Sequence, residues 1–254
     1  MVVQIAVGIA ETWIVGQLGT DALAAVALVI PFVVLMHNMA NGGMGGAVAA
    51  SFARALGGGR MDDARALVWH ALALGLGLAG VFTVLAWTVL PAFFVVLGGT
   101  GSALHQAMVF SAIWFSGAVL LWPGAFLSAL LRGSGDSLTP SRIGVALSVL
   151  YVPLSAALAL GVGPWPGLGI AGPAIASVVT IVLSFLLQAR VVRNGALGFV
   201  PSLAGVRLQG RLFREILKVG LLGSVTTIAA SATALAITSF IGRFGTAEIG
   251  RAHV

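Results

Sequence analysis

Apolar runs of about 20 residues, the length needed to cross a bilayer, follow one another from the start of this chain to its end. Hydrocarbon offers no partner to backbone N–H and C=O groups, so runs of that length fold as helices. The chain is 59% hydrophobic and only 8% charged, against an ordinary charged fraction of about 25%. The expected fold class is therefore all-α, a polytopic transmembrane helical bundle, with the lipid bilayer as its first partner. A net charge of +6 raises nucleic acid as a partner, but the basic residues sit in loops and at helix ends, where membrane topology explains them. Nucleic acid is excluded on that ground. The chain has no cysteine, which rules out a thiol-based metal site, and no basic stretch follows Met1 as a cleavable signal peptide requires.

The runs divide into seven expected spans, at roughly 1–17, 23–55, 64–96, 104–131, 140–161, 170–192 and 212–244. Glycine clusters separate them: Gly57 to Gly59, Gly98 to Gly101, Gly133 to Gly135, and Gly161 to Gly169 with its two prolines. Arg54, Arg60, Arg65, Arg132, Arg142, Arg190, Arg193, Arg207, Arg211, Arg214 and Lys218 all fall around the loops after the second, fourth and sixth spans. The loops after the first, third and fifth hold no Lys or Arg. The positive-inside rule puts the basic loops and the chain's start in the cytoplasm, as a multi-pass protein of a bacterial inner membrane.

An internal repeat sets the expected architecture. Shifted by 226 positions, Ala10 to Thr20 falls on Ala236 to Thr246, with Ala, Thr, Gly, Gly and Thr coinciding. The seventh span then restarts the pattern of the first. With six spans between the copies, both insert in the same sense, a parallel repeat about an axis along the membrane normal. The expected organisation is a six-helix lobe at 1–193, a cytoplasmic inter-lobe linker at 194–210, and the first helix of a truncated C-terminal lobe at 211–248. The remaining lobe is a partner expected in cis. Residues 249–254 read as what a common sequencing adapter encodes in one frame, and carry no weight in the fold.

Glu11 is the only acidic residue in any apolar segment. A charge at the centre of a span costs about 2.5–3.5 kcal/mol on insertion scales, so it marks a functional site by default. The functional reading is a carboxylate that takes up and releases a cation; the plainer one is a polar anchor near the outer interface. Gln4 and Thr12 neighbour it in sequence, and His37, Asn38 and Asn41 interrupt the second span, where amides line cavities or hold helices together. Trp114 and Trp122 lie on one helix with a substrate cavity as a possible outlook, and other tryptophans read as interfacial anchors. His70 and His105 sit near helix ends, where snorkelling suffices. Asn41 to Ala47 is glycine-rich, suited to close helix approach and to a local bend. Gly75 to Gly80 fits a dinucleotide-binding pattern literally, but inside a span with no strand before it. Arg132 to Asp136 lacks the lysine of a phosphate loop and reads as a tight cytoplasmic turn in which the two charges pair. No enzyme activity and no cofactor beyond a coupling ion, H⁺ or Na⁺, is expected.

Four stretches together resemble the multidrug and toxic compound extrusion (MATE) family of secondary transporters: Glu11 to Ala25, with its Val15-Gly16-Gln17-Leu18-Gly19; Ala53 to Arg60, followed by Asp62, Asp63 and Ala64; Leu131-Arg132-Gly133-Ser134-Gly135-Asp136-Ser137-Leu138-Thr139-Pro140; and Gly167 to Ser177. The resemblance implies the N-terminal six-helix lobe and one further helix of a twelve-helix, two-lobed exporter working by H⁺ or Na⁺ antiport. Family members usually carry Asp where this chain has Glu11. Many place Asn and then Asp-Pro in the fifth helix, where Ser148 and Val152-Pro153 stand. The second carboxylate of a two-carboxylate cation site is thus missing. The implied function is export of amphipathic, cationic small molecules. A lipid-linked precursor flippase of the same superfamily is the alternative, disfavoured because no Arg or Lys lies mid-helix; an inactive membrane fragment is another.

Overall fold

A computed structural model describes residues 2–202 and 208–242. Helix α1 (Val2–Gly16) leads by a short turn into α2 (Thr20–Asn38), a five-residue π-turn (Met39–Gly43) and α3 (Met44–Gly57). Helices α4 (Met61–Val96), α5 (Gly101–Gly133) and α6 (Leu138–Leu160) follow. A two-residue hairpin, β1 (Gly161–Val162) with β2 (Trp165–Pro166), precedes α7 (Ala171–Arg193) and α8 (Gly210–Gly242). The molecule is an all-α membrane bundle. Among the described residues, four helical stretches are long and apolar enough to cross a bilayer (α2 through α3, α4, α6 and α7), and α5 makes a fifth when its 47° bend is taken as one broken span. Helix α1, at 15 residues, rises only about 22 Å, short of the roughly 30 Å hydrocarbon core. The adapter-like residues 249–254 and the end of the second repeat copy lie outside the described residues.

Packing runs through α5, which lies against α2, α3, α4 and α7. In lipid, association relies on close van der Waals fit and small residues instead of expulsion from water. Gly75 on α4 meets Pro123 on α5, where a Cβ would stand 3.1 Å from the proline nitrogen; that, and no nucleotide chemistry, is what the glycine does. The Gly43 end of the π-turn meets α8, and a Cβ there would stand 2.7 Å from the Ser224 nitrogen. Asn41 turns its amide back to the His37 carbonyl, donating at 3.1 Å. The glycine-rich stretch thus serves both the bend and the close approach. Around this core the periphery is apolar and open, with Ile9, Trp13, Val84, Trp87, Val149 and Leu186 all exposed. Such a surface suits lipid.

The turn after α5 closes on Gly135, whose φ of 99° is the left-handed conformation that favours glycine. The Asp136 N–H bonds the Leu131 carbonyl at 2.9 Å and the Gly135 N–H bonds that of Arg132 at 3.1 Å, which satisfies the exposed end of the helix. Asp136 does not pair with Arg132. Its carboxylate instead accepts the Thr139 N–H at 2.9 Å, capping α6. Those Thr139 bonds, with Arg142 nearby, hold the Asp136 carboxyl below its ordinary range.

The segment after α7 is docked on α3 and α4. Trp69 Nε1 donates to the Ser202 carbonyl at 2.9 Å, and Phe199 packs beside Phe52 and under the Arg65 guanidinium. The Gln209 N–H donates to His70 Nε2 at 2.7 Å. His70 therefore does not snorkel. It is fully buried, its Nδ1 bonded to the Ala66 carbonyl at 2.8 Å. Arg211 and Glu215 at the start of α8 then pair with Asp63 and Arg54. His105, by contrast, is exposed near the start of α5.

Candidate functional site

Helix α1 has one face turned inward. Ile14 and Val15 are buried while Ile5, Ile9 and Trp13 are exposed; Glu11, three and four residues before the buried pair, shares their face. Packing of α1 against α2 and α6 therefore carries the carboxylate into the lobe, half-buried. Its partner there is Tyr151 of α6, whose hydroxyl donates to Glu11 Oε1 at 2.7 Å. No Lys or Arg pairs with Glu11 among the described residues. A desolvated carboxylate with a hydroxyl but no cation beside it is left short of compensating charge. One turn along α6, Ser155 is fully buried beside Tyr151.

Glu11 and Tyr151 open on a cavity of about 490 Å³ between α1, α2, α5, α6 and α7, whose polar lining also includes His37, Ser148, Ser177, Thr180 and Ser184. A smaller cavity of about 120 Å³ continues past His37 and Ser184 to Asn41, Ser128 and Gln188. Its floor is a bonded set: Gln188, 3% exposed, donates to Ser184 Oγ at 2.8 Å and accepts the Ser128 hydroxyl. Ser177, Thr180, Ser184 and Gln188 form a polar stripe down one face of α7. On its other side Glu11 also borders an apolar groove of about 750 Å³ between α1 and α2. Among the described residues, Glu11 is the only Asp, Glu, Lys or Arg lining these three spaces. No cluster of three His, Asp or Glu that could hold a metal ion occurs among the described residues.

Of the residues singled out in the sequence, Glu11, His37 and Trp114 meet on the larger cavity, and Asn41 joins His37 on the smaller. Thr12 lines the outer groove, its hydroxyl spent on the Gly8 carbonyl at 2.8 Å. Gln4 and Asn38 are exposed and line none of the three. Trp122 lines none of the three either: it is fully buried between Phe82 and Phe126 in the α4–α5 core. The sequence reading missed Tyr151 and the α7 stripe. The stripe had a signal, hydroxyl and amide residues spaced by three, four and four in an apolar segment.

Comparison with known proteins gives these features a setting. The MatE family model matches residues 1–157. The chain is 29% identical over 180 residues to the FAD transporter of Shewanella oneidensis, covering 71% of this chain and 40% of that protein. It is 26% identical over 235 residues to the probable multidrug resistance protein YoeA of Bacillus subtilis, covering 90% of this chain and 50% of that one. A MOP superfamily transporter from Pyrococcus furiosus superposes with a TM-score of 0.83 at 25% identity, over 92% of this chain and 51% of its own. The chain thus spans about half or less of the length of the relatives it matches. With more than half of its residues matched by that model, the chain belongs to the MatE family of multidrug and toxic compound extrusion proteins.

Proposed function

We propose that residues 1–193 are the N-terminal lobe, 194–210 the inter-lobe linker and 211–248 the first helix of the second lobe of a secondary transporter that exports amphipathic, cationic small molecules in exchange for H⁺ or Na⁺. The observation that carries the proposal is the Glu11 carboxylate turned into the lobe, bonded to Tyr151 and facing no fixed cation. In the antiport cycle Glu11 takes the coupling ion from outside, α1 shifts on α6 as the charge is neutralised, and the substrate is released outward. The lobe sits in a bacterial inner membrane with its start in the cytoplasm, as the basic loops require.

A second reading of the substrate, a flavin dinucleotide or similar anion, is favoured by the Shewanella relative, which is named an FAD transporter. Cavities lined by one carboxylate and no Arg or Lys favour the cation, and weigh equally against a pyrophosphate-handling flippase. The test is proton- or sodium-driven efflux of a fluorescent cationic dye from proteoliposomes holding the full-length protein, with FAD as competitor. Glu11→Gln abolishes coupled efflux, and Tyr151→Phe, which removes one charge-assisted bond of about 1.5–3 kcal/mol, slows it about tenfold or more. Undiminished efflux by Glu11→Gln refutes the proposal, and inhibition by FAD at dye-like concentrations transfers it to the anion.

A further inference from the structure

The two cavities share His37, Ile181 and Ser184, so His37 is the one titratable side chain common to the space around Glu11 and the space beyond it. The His37 Nδ1 lies 3.3 Å from the Val33 carbonyl. A carbonyl only accepts, so Nδ1 carries the hydrogen and Nε2 keeps its lone pair. Nε2 has no protein partner among the described residues, and the residue is exposed although it sits far along α2. Its ring stands 5.6 Å from that of Trp114, close enough for an imidazolium to gain from the indole face.

Depth along the helices sets the rest. Glu11 is about 8 Å below the outer end of α1, and His37 about 26 Å below the outer end of α2, at 1.5 Å per residue. Over the same interval α7 presents Ser177, Thr180, Ser184 and Gln188, about 9 to 26 Å below its own outer end. Ser177 and Thr180 donate to backbone carbonyls. Ser184 accepts from Gln188, and its own hydrogen finds no acceptor among the described protein atoms. The titratable groups facing His37 are Glu11 from α1 and Tyr151 from α6. The linings from α5 and α7 and the π-turn contribute Phe110, Trp114, Ile181, Ser184, Gln188 and Asn41, none of them charged.

We propose that His37 is a second proton-binding side chain, which relays protons between Glu11 and the cytoplasmic end of the lobe. The proton leaves the Glu11 carboxyl, crosses the hydroxyl-lined cavity through water, binds His37 Nε2 and departs from the same nitrogen into the space floored by Gln188. The relay rests on Glu11 as the coupling carboxylate and specifies H⁺ as the ion. The test is H⁺-driven exchange by the full-length protein in proteoliposomes carrying an internal pH dye. His37→Gln keeps a polar hydrogen-bonding side chain in the cavity and cannot titrate; exchange falls by about a hundredfold, the range expected when a proton-transfer group is lost. His37→Ala is equally slow and recovers with added imidazole, but not with pyrazole, a ring of the same size that is far less basic. Unchanged exchange in His37→Gln overturns the relay, as does equal rescue by pyrazole or none by imidazole. Loss in Glu11→Gln with full activity in His37→Gln removes the relay alone. Loss in His37→Gln with full activity in Glu11→Gln removes the role given to Glu11 above.

Discussion

Gly172 sits in the first turn of α7 against the last turn of α6, and its replacement by alanine tests how the Tyr151 helix is held. A Cβ at that position would lie 2.4 Å from the Ala159 nitrogen and 2.6 Å from its Cα. Both are backbone atoms, so no rotamer change relieves the clash. Reaching ordinary contact at 3.5–4.0 Å requires α6 and α7 to part by about 1 Å where the one ends and the other begins. Overpacking of this kind costs about 1–3 kcal/mol, and the gain in helix propensity returns at most about 1 kcal/mol. The full return leaves a net cost of up to about 2 kcal/mol, and at about 2–4 °C per kcal/mol Gly172→Ala melts up to about 8 °C lower. Gly80 on α4 is the control: an added Cβ there meets nothing within 4 Å, and Gly80→Ala is neutral or slightly stabilised. The assay is thermal unfolding of the purified full-length protein in detergent, followed by circular dichroism. Tyr151 lies two turns from Ala159, about 12 Å along α6, so the same variant loosens the Glu11 bond and weakens coupled efflux. A Gly172→Ala protein that melts with or above Gly80→Ala would show that the α6–α7 contact is not tight, and the argument for a rigidly placed Tyr151 would fall with it.

Two further outcomes follow from the end of the bundle where α4, α6 and α8 begin. His70→Leu leaves the Gln209 N–H without its acceptor, a loss of about 1–3 kcal/mol that raises local opening roughly fivefold or more; limited trypsin digestion reads this as faster cleavage after Arg211, and an unchanged rate refutes the clasp. For Asp136, a carboxyl held below its ordinary value in the fold contributes stability that is full above the unfolded value of about 3.9 and is lost as the pH falls through the folded one. Wild type is therefore more stable than Asp136→Ala at pH 6, and the two melting points converge in acid below about pH 3.9; a difference that persists there would assign the effect to something other than the charge.

The spans were legible because hydrocarbon leaves so little freedom. The expected segments at 23–55 and 140–161 correspond to Thr20–Gly57 and Leu138–Leu160, since the apolar run and the glycine that ends it are both local features. What was not legible is tertiary. His70 lies near a helix end, where a lone helix would let it snorkel, and is buried only because Gln209, distant in sequence, comes to dock on it. Arg132 and Asp136 have the spacing of an ion pair. The glycine turn, however, turns the Asp136 carboxylate to the next helix, where it accepts a backbone N–H at 2.9 Å, while Arg132 stays half-buried at the end of α5.

The candidate site divides along the same line. Glu11 could be found because an ionisable residue in an apolar run announces itself, but its direction could not, since only the structure shows Ile14 and Val15 buried and Ile5, Ile9 and Trp13 exposed. Trp114 and Trp122 looked equivalent, but eight residues at 100° each set them about 80° apart around a straight helix, and the 47° bend of α5 between Gly117 and Val119 separates their surroundings further. One faces His37, the other Phe82 and Phe126. Tyr151, the chain's only tyrosine, carried no local signal at all: an aromatic residue in an apolar helix is ordinary, and only the packing of α1 on α6 brings its hydroxyl to the carboxylate. Where the resemblance implies a second acid in many family members, this chain has Val152, and the neighbouring Tyr151 donates a neutral hydroxyl to Glu11. On the proposed mechanism, one carboxylate with one hydroxyl is neutralised by a single charge, which is why Tyr151→Phe and Glu11→Gln belong in one experiment.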